Sequence, residues 1–277
     1  MSGAPSLVVF SDLDGTLLDH DTYSWAEATP ALDALEARGV PLVLVSSKTR
    51  AELLPLRIAL GNTHPYIVEN GAATFIPPGY FDARASVAAD AGDSCVSEGP
   101  SRAELQDALS AARSDGGYRF TTFAELATQG IVRETGLEPA QADAANERAA
   151  SEPLLWQDTE EHLTAFADRM AAQNLRCVRG GRFVHVMGQF DKADAVAGLH
   201  GRFEQCDAPR QVVSVALGDG PNDLEMLALA DIAVVVKGRH GHAMPVRSGS
   251  RVIRTTKHGP AGWREAVLEI LDGYPAA

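Results

Sequence analysis

Apolar residues in this chain come in short unbroken runs: LVVF at 7–10, PLVLV at 41–45, YIV at 66–68, VVSVAL at 212–217 and IAVVV at 232–236. Aliphatic and β-branched runs without polar alternation suit strands covered on both faces. Helix signals lie between them. Thr29-Pro30 sets a capping residue before a first-turn proline, and the run that follows ends at Gly39. Thr49-x-x-Glu52 has the spacing of a capping box, with Pro55 expected to kink or delay that helix. Strand and helix in alternation predict an α/β core with a parallel sheet and helices on both faces.

The middle of the chain is patterned differently. After IPPGYF comes a small-residue, acidic stretch, ARASVAADAGDSCVSEG, and then a helix start at SRAE. An Ala-rich helix is expected near Pro139, and TEEHLTAFADRMAAQN has amphipathic spacing. RCVRGGRFVHV alternates around Gly180-Gly181, which predicts a hairpin with a two-residue turn. These features predict an α+β domain at residues 83–187 inserted into a core formed by 1–82 and 188–277.

Charge narrows the partners. A formal net charge of −13, from 37 acidic and 24 basic residues, argues against nucleic acid and anionic membrane as the main partner. An anionic substrate would need a locally basic site. The apolar runs fall far short of the ~20 residues of a membrane span. MSGAPS lacks a basic leader region, and Cys95, Cys177 and Cys206 form no C-x-x-C pair, so a reduced, cytoplasmic setting is expected.

The chemistry concentrates at strand ends. Asp12 and Asp14 follow LVVF and, two apart on a strand, project to one side. Such a pair implies a bound cation, a shared proton or solvent exposure. A second acidic turn, GDGPND, follows VVSVAL and holds Asp219 and Asp223, while Ser46-Ser47 ends PLVLV and Lys192 heads the helix after QFD. Open α/β sheets bind ligands at these carboxyl ends.

In this order, DLDGT, VLVSSKTR, QFDKADAV and GDGPND resemble the four motifs of the haloacid dehalogenase superfamily of phosphatases. The resemblance implies a Rossmann-like core with an inserted cap and a Mg²⁺ cofactor. By it, Asp12 is the nucleophile, Asp14 the general acid and base, Ser46 a hydrogen-bond donor to the phosphoryl group, and Lys192 the screening cation. Ser47 is the alternative to Ser46. Mg²⁺ would bind the Asp12 carboxylate, the Asp14 main-chain carbonyl and Asp219, supported by Asn222 and Asp223. Ala193 departs from the pattern, standing where a glycine is expected.

VLVSSKTRAE, HPYIVENGAATFIPPGYF, ETGL and ERAASEP further resemble the mannosyl-3-phosphoglycerate phosphatase family, a branch with a large C2-type cap. This implies a small phosphorylated sugar–glycerate substrate. Lys48, Arg50, Glu69 and Asn70 are expected to border the cleft, and Thr135, Gly136 and Leu137 to line the cap pocket. Arg179 and Arg182, flanking Gly180-Gly181, are either solvated turn charges or a pair reading a carboxylate; His185 either meets a sugar hydroxyl or fills a strand position. Glucosyl-3-phosphoglycerate, sucrose phosphate and hexose phosphates are the competing substrates. A noncatalytic phosphosugar-binding protein is the competing class, against which Asp12, Asp14, Lys192 and Asp219 all argue.

Overall fold

The structure is a computed structural model that describes residues 5–81, 92–97, 99–180, 182–238, 244–246 and 251–274. The chain opens with β1 (Ser6–Ser11), α1 (Thr29–Ala37), β2 (Leu42–Val45), α2 (Arg50–Ala59), β3 (Tyr66–Val68), β4 (Ala73–Ile76) and β5 (Ser94–Ser97). Its middle comprises α3 (Arg102–Gly116), β6 (Phe120–Thr122), α4 (Phe123–Thr135), α5 (Pro139–Asn146), β7 (Ser151–Trp156), α6 (Glu160–Ala171), β8 (Leu175–Gly180) and β9 (Phe183–Gly188). The final part holds α7 (Lys192–Asp207), β10 (Val212–Gly218), α8 (Leu224–Leu229), β11 (Ile232–Lys237), β12 (Arg251–His258) and α9 (Gly259–Gly273).

Contacts divide the chain into two compact units, one of Met1–Ser46, Asn62–Cys95 and Lys192–Ala277, the other of Ser47–Gly61 and Val96–Asp191. The expected boundary at residue 83, with most of the acidic stretch after it, lies outside the described residues.

In the first unit, one sheet has the order β12-β11-β10-β1-β2-β3-β4-β5. The strands from β12 to β3 pair in parallel, and β4 turns back antiparallel to β3. The central strands are apolar throughout because both faces are covered. Val8, Phe10, Val43 and Val45 pack with Val196, Leu199 and Phe203 of α7 and Met226 and Leu227 of α8. Leu7 and Val9 point to the other face, where Leu35 of α1 and Val267, Ile270 and Leu271 of α9 gather.

The second unit is built on an antiparallel sheet, β6-β7-β9-β8. Leu154, Val184 and Val186 enter a core with Leu105 and Leu109 of α3 and Phe166 and Met170 of α6. Phe123, Ile131 and Ala142 form a smaller cluster with Phe183. Thr49 caps α2 as its spacing predicts: its hydroxyl accepts from the Glu52 N–H at 3.2 Å, and its own N–H donates to Glu52 Oε2 at 2.8 Å. The helix continues through Pro55.

Two local expectations are corrected. Thr29 is already inside α1; Ala28 holds the capping position and no side chain caps it. The β8–β9 register pairs Arg179 with Val184 and Gly180 with Phe183, so Gly180 is the last paired residue of β8 and not part of a two-residue turn at 180–181. This register keeps Arg179 from standing directly opposite Arg182, where like charges destabilise a strand pair. No helix among the described residues is long and apolar enough to cross a membrane.

Candidate active site

β1 is flanked by β10 and β2, with Ser11 in register with Leu217 on one side and Leu44 on the other. The Asp12 N–H donates to the Leu217 carbonyl at 3.0 Å, extending that ladder by one residue. Behind it, Trp263 Nε1 of α9 donates to Ser11 Oγ at 2.9 Å, and Ser11 Oγ donates to the Asp12 carbonyl at 2.7 Å. Asp12 is therefore anchored through buried groups whose pairing spans 252 positions.

The chain then turns at Gly15, whose φ of +86° lies in the left-handed region that favours glycine. A Cβ there would stand 2.6 Å from Asp219 Oδ2. Thr16 Oγ1 donates to the other Asp219 oxygen at 3.0 Å. The DLDGT turn and the acidic turn after β10 thus meet closely, and glycine is what lets them.

Lys192, the first residue of α7, is 1% exposed. Its Nζ donates to Asp12 Oδ1 at 2.5 Å and to Asp223 Oδ1 at 2.6 Å. The other oxygen of Asp223 accepts from the N–H groups of Asp219 and Gly220, at 3.2 and 3.1 Å. Burial pushes the pKa of Asp12 up to about 7, with repulsion from Asp223 and Asp219 adding to it and Lys192 opposing it. Asp219 is raised by burial and by Asp223. Burial opposes the charge on Lys192, but Asp12 and Asp223 outweigh it and hold the ammonium above its ordinary value.

Carboxylate oxygens of Asp12, Asp219 and Asp223 lie within 4.8 Å of one another. One ammonium does not neutralise three carboxylates, and that excess adds to burial in raising the pKa values of Asp12 and Asp219. An all-oxygen donor set beside a turn with no side chain at Gly15 fits a hard divalent cation such as Mg²⁺.

Asp14 lies in the same turn, outside this trio, and forms an isolated bridge with Leu18. Ser46, buried after β2, donates its N–H to the Ile67 carbonyl at 3.0 Å, while the Asn70 N–H donates to the Ser46 carbonyl at 2.9 Å. Glu69 and Asn70 both take positive φ, so the end of β3 bends onto the end of β2. Asn222 is exposed in the short turn at Pro221–Asp223.

The remaining candidates belong to the second unit. Ser47 and Lys48 lead into α2, which Arg50 begins. Arg179 donates to both oxygens of Glu160, at 2.8 and 3.2 Å, and Arg182 donates to the Glu134 carbonyl. Gly180 ends β8, and Gly181 lies outside the described residues. His185 is half-buried in β9, and burial, then the charge of Arg148, pushes its pKa down to about 3, so it is neutral. Ser11 and Trp263 escaped the sequence reading, since neither belongs to a motif; Thr16 was visible as the last residue of DLDGT.

A parallel sheet with this acidic, lysine-bridged strand end defines a phosphohydrolase of the haloacid dehalogenase type, and residues 9–81 match the family model of haloacid dehalogenase-like hydrolases. The chain belongs to that family and is a phosphoric monoester hydrolase. It is 36% identical over 269 residues to a glucosyl-3-phosphoglycerate/mannosyl-3-phosphoglycerate phosphatase of Methanococcoides burtonii, covering 95% of this chain and 97% of the relative. A Thermoplasma acidophilum structure aligns over 98% of this chain and 99% of its own, with TM-score 0.66 at 17% identity. A sugar phosphatase of subclass IIB aligns over 96% and 99%, with TM-score 0.65 at 18% identity. These two share the fold.

Proposed function

We propose that this phosphatase hydrolyses 2-O-mannosyl-3-phosphoglycerate to mannosylglycerate and phosphate, with Mg²⁺ as cofactor. The observation that carries the chemistry is Lys192 set between Asp12 and Asp223. The substrate choice is supported by end-to-end similarity to the Methanococcoides burtonii phosphatase.

In this reading an Asp12 oxygen attacks phosphorus as the ester P–O bond breaks, giving an aspartyl-phosphate. Asp14 protonates the departing glycerate oxygen, then takes a proton from the water that attacks the phosphorus, releasing phosphate and restoring Asp12. Lys192 keeps Asp12 oriented and offsets charge, and Ser46 is assigned to a phosphoryl oxygen. Asp12 and Asp219, with the Asp14 carbonyl and Asp223 nearby, would hold Mg²⁺, which when bound stabilises phosphoryl charge and favours ionised Asp12. The second unit serves as the specificity cap. Cys95, Cys177 and Cys206 form no disulfide with one another, which supports a reducing, cytoplasmic setting.

Phosphate release in Mg²⁺ from mannosyl-3-phosphoglycerate, glucosyl-3-phosphoglycerate and mannose 6-phosphate tests the proposal. Preference for the mannosyl ester is expected, and preference for mannose 6-phosphate would sink the assignment. The glucosyl epimer is the second reading, because the relative's name carries both sugars.

A further inference from the structure

Most arginines along the sheet and helices of the second unit, from Arg102 with Glu152 to Arg182 with Glu134, reach carboxylates. Arg148 has no carboxylate within ion-pair distance among the described residues, yet its side chain is held. Its Nε donates to the Ala145 carbonyl at 3.2 Å, its Nη1 donates to Ser151 Oγ at 3.0 Å, and the guanidinium lies 5.9 Å from the Phe123 ring centre. Nη2 makes no hydrogen bond to any described residue. Arg133 also lacks a carboxylate but is exposed on α4, where water suffices. Arg148 is half-buried, and a charge withdrawn from water without a countercharge is disfavoured unless a ligand supplies one.

The neighbour of this cation is informative. Along β9, Val184 and Val186 enter the core with α3 and α6, so His185 projects from the opposite face together with Phe183. Phe183 meets Phe123 edge to face at 4.9 Å, which brings His185 and Arg148 to one side of the sheet. Neither ring nitrogen of His185 has a hydrogen-bond partner among the described residues. A neutral imidazole offers one donor and one acceptor, which suits a hydroxyl, whereas Nη2 of Arg148, with the second N–H of Nη1 beside it, suits a carboxylate.

We propose that Arg148 binds the carboxylate of the substrate's glycerate and that His185 contacts a hydroxyl of its sugar. This rests on the phosphoglycerate reading above and moves carboxylate recognition away from Arg179 and Arg182, whose guanidiniums are already engaged with Glu160 and Glu134.

The test compares the Mg²⁺-loaded enzyme and its variants on mannosyl-3-phosphoglycerate, 3-phosphoglycerate, which lacks the sugar, and mannose 6-phosphate, which lacks the carboxylate. Arg148→Met should lower kcat/KM about 10- to 100-fold on both carboxylated esters and less than about threefold on mannose 6-phosphate. His185→Phe should penalise mannosyl-3-phosphoglycerate and spare 3-phosphoglycerate. Equal losses across all three esters, or no loss from Arg148→Met in a folded protein, would overturn the assignment. Should Arg148→Met melt early, Arg148→Lys keeps the charge without the fork and must show the same selectivity in weaker form. If the wild type instead prefers mannose 6-phosphate, the substrate reading fails, while the ratio of losses between 3-phosphoglycerate and mannose 6-phosphate still decides the role of Arg148.

Discussion

Lys192 Nζ stands 2.6 Å from Asp223 Oδ1, and Asp223 is itself pinned by two backbone N–H groups on its other oxygen. The ammonium is therefore aimed at Asp12 from a fixed post. Asp223→Asn keeps the shape of that post but weakens the charge that holds Lys192. It should lower kcat by about 10- to 100-fold, whereas Asn222→Ala, at an exposed position, should cost less. Steady-state phosphate release on both variants checks this ordering.

Removing the lysine exposes what it holds apart. In Lys192→Met, Asp12 and Asp223 face each other without a cation, in a site where both are buried. The metal-free variant should lose about 3–5 kcal/mol of stability at neutral pH. Urea unfolding in chelator measures the loss, and a second substitution, Asp12→Asn, should recover much of it.

The raised pKa of Asp12 sets a pH dependence. The folded, metal-free protein keeps a proton on Asp12 up to about 7, whereas the unfolded chain releases it near 3.8. Between those values the native state binds more protons than the unfolded state, so this group makes stability fall as pH rises. Chelated wild type should show that slope between about pH 4 and 7, and Asp12→Asn should flatten it. An unchanged slope in the variant would locate the effect elsewhere.

Two glycines with positive φ separate strain from crowding. Gly39 (φ +63°) has nothing within 4 Å of where an added methyl would stand, whereas at Gly15 (φ +86°) a methyl would collide with Asp219. Alanine at either should cost about 1–2 kcal/mol of backbone strain. Only Gly15→Ala should also weaken Mg²⁺ binding in titration calorimetry and abolish turnover.

Buried apolar runs made the parallel sheet readable, and DLDGT and GDGPND announced acidic turns at the ends of β1 and β10. The contact of Asp223 with Lys192 was not readable, because a turn sequence does not say which carboxylate folds inward. The pairing of Trp263 with Ser11 was hidden by its separation along the chain. Arg179 and Arg182 drew notice beside a Gly-Gly turn, yet Glu160 and Glu134, which engage them, come from α6 and α4. Arg148 lay in ERAASEP, a stretch noticed only for its family resemblance, since the absence of an acidic partner exists only in three dimensions.

The seams between the two units fall at telling places: one directly after Ser46, another directly before Lys192. Any chimera that grafts a different second unit onto this core must splice next to side chains that the proposed chemistry uses. Specificity in this scaffold is therefore poorly suited to exchange as a cassette, and retuning the sugar is better attempted by single substitutions inside the second unit.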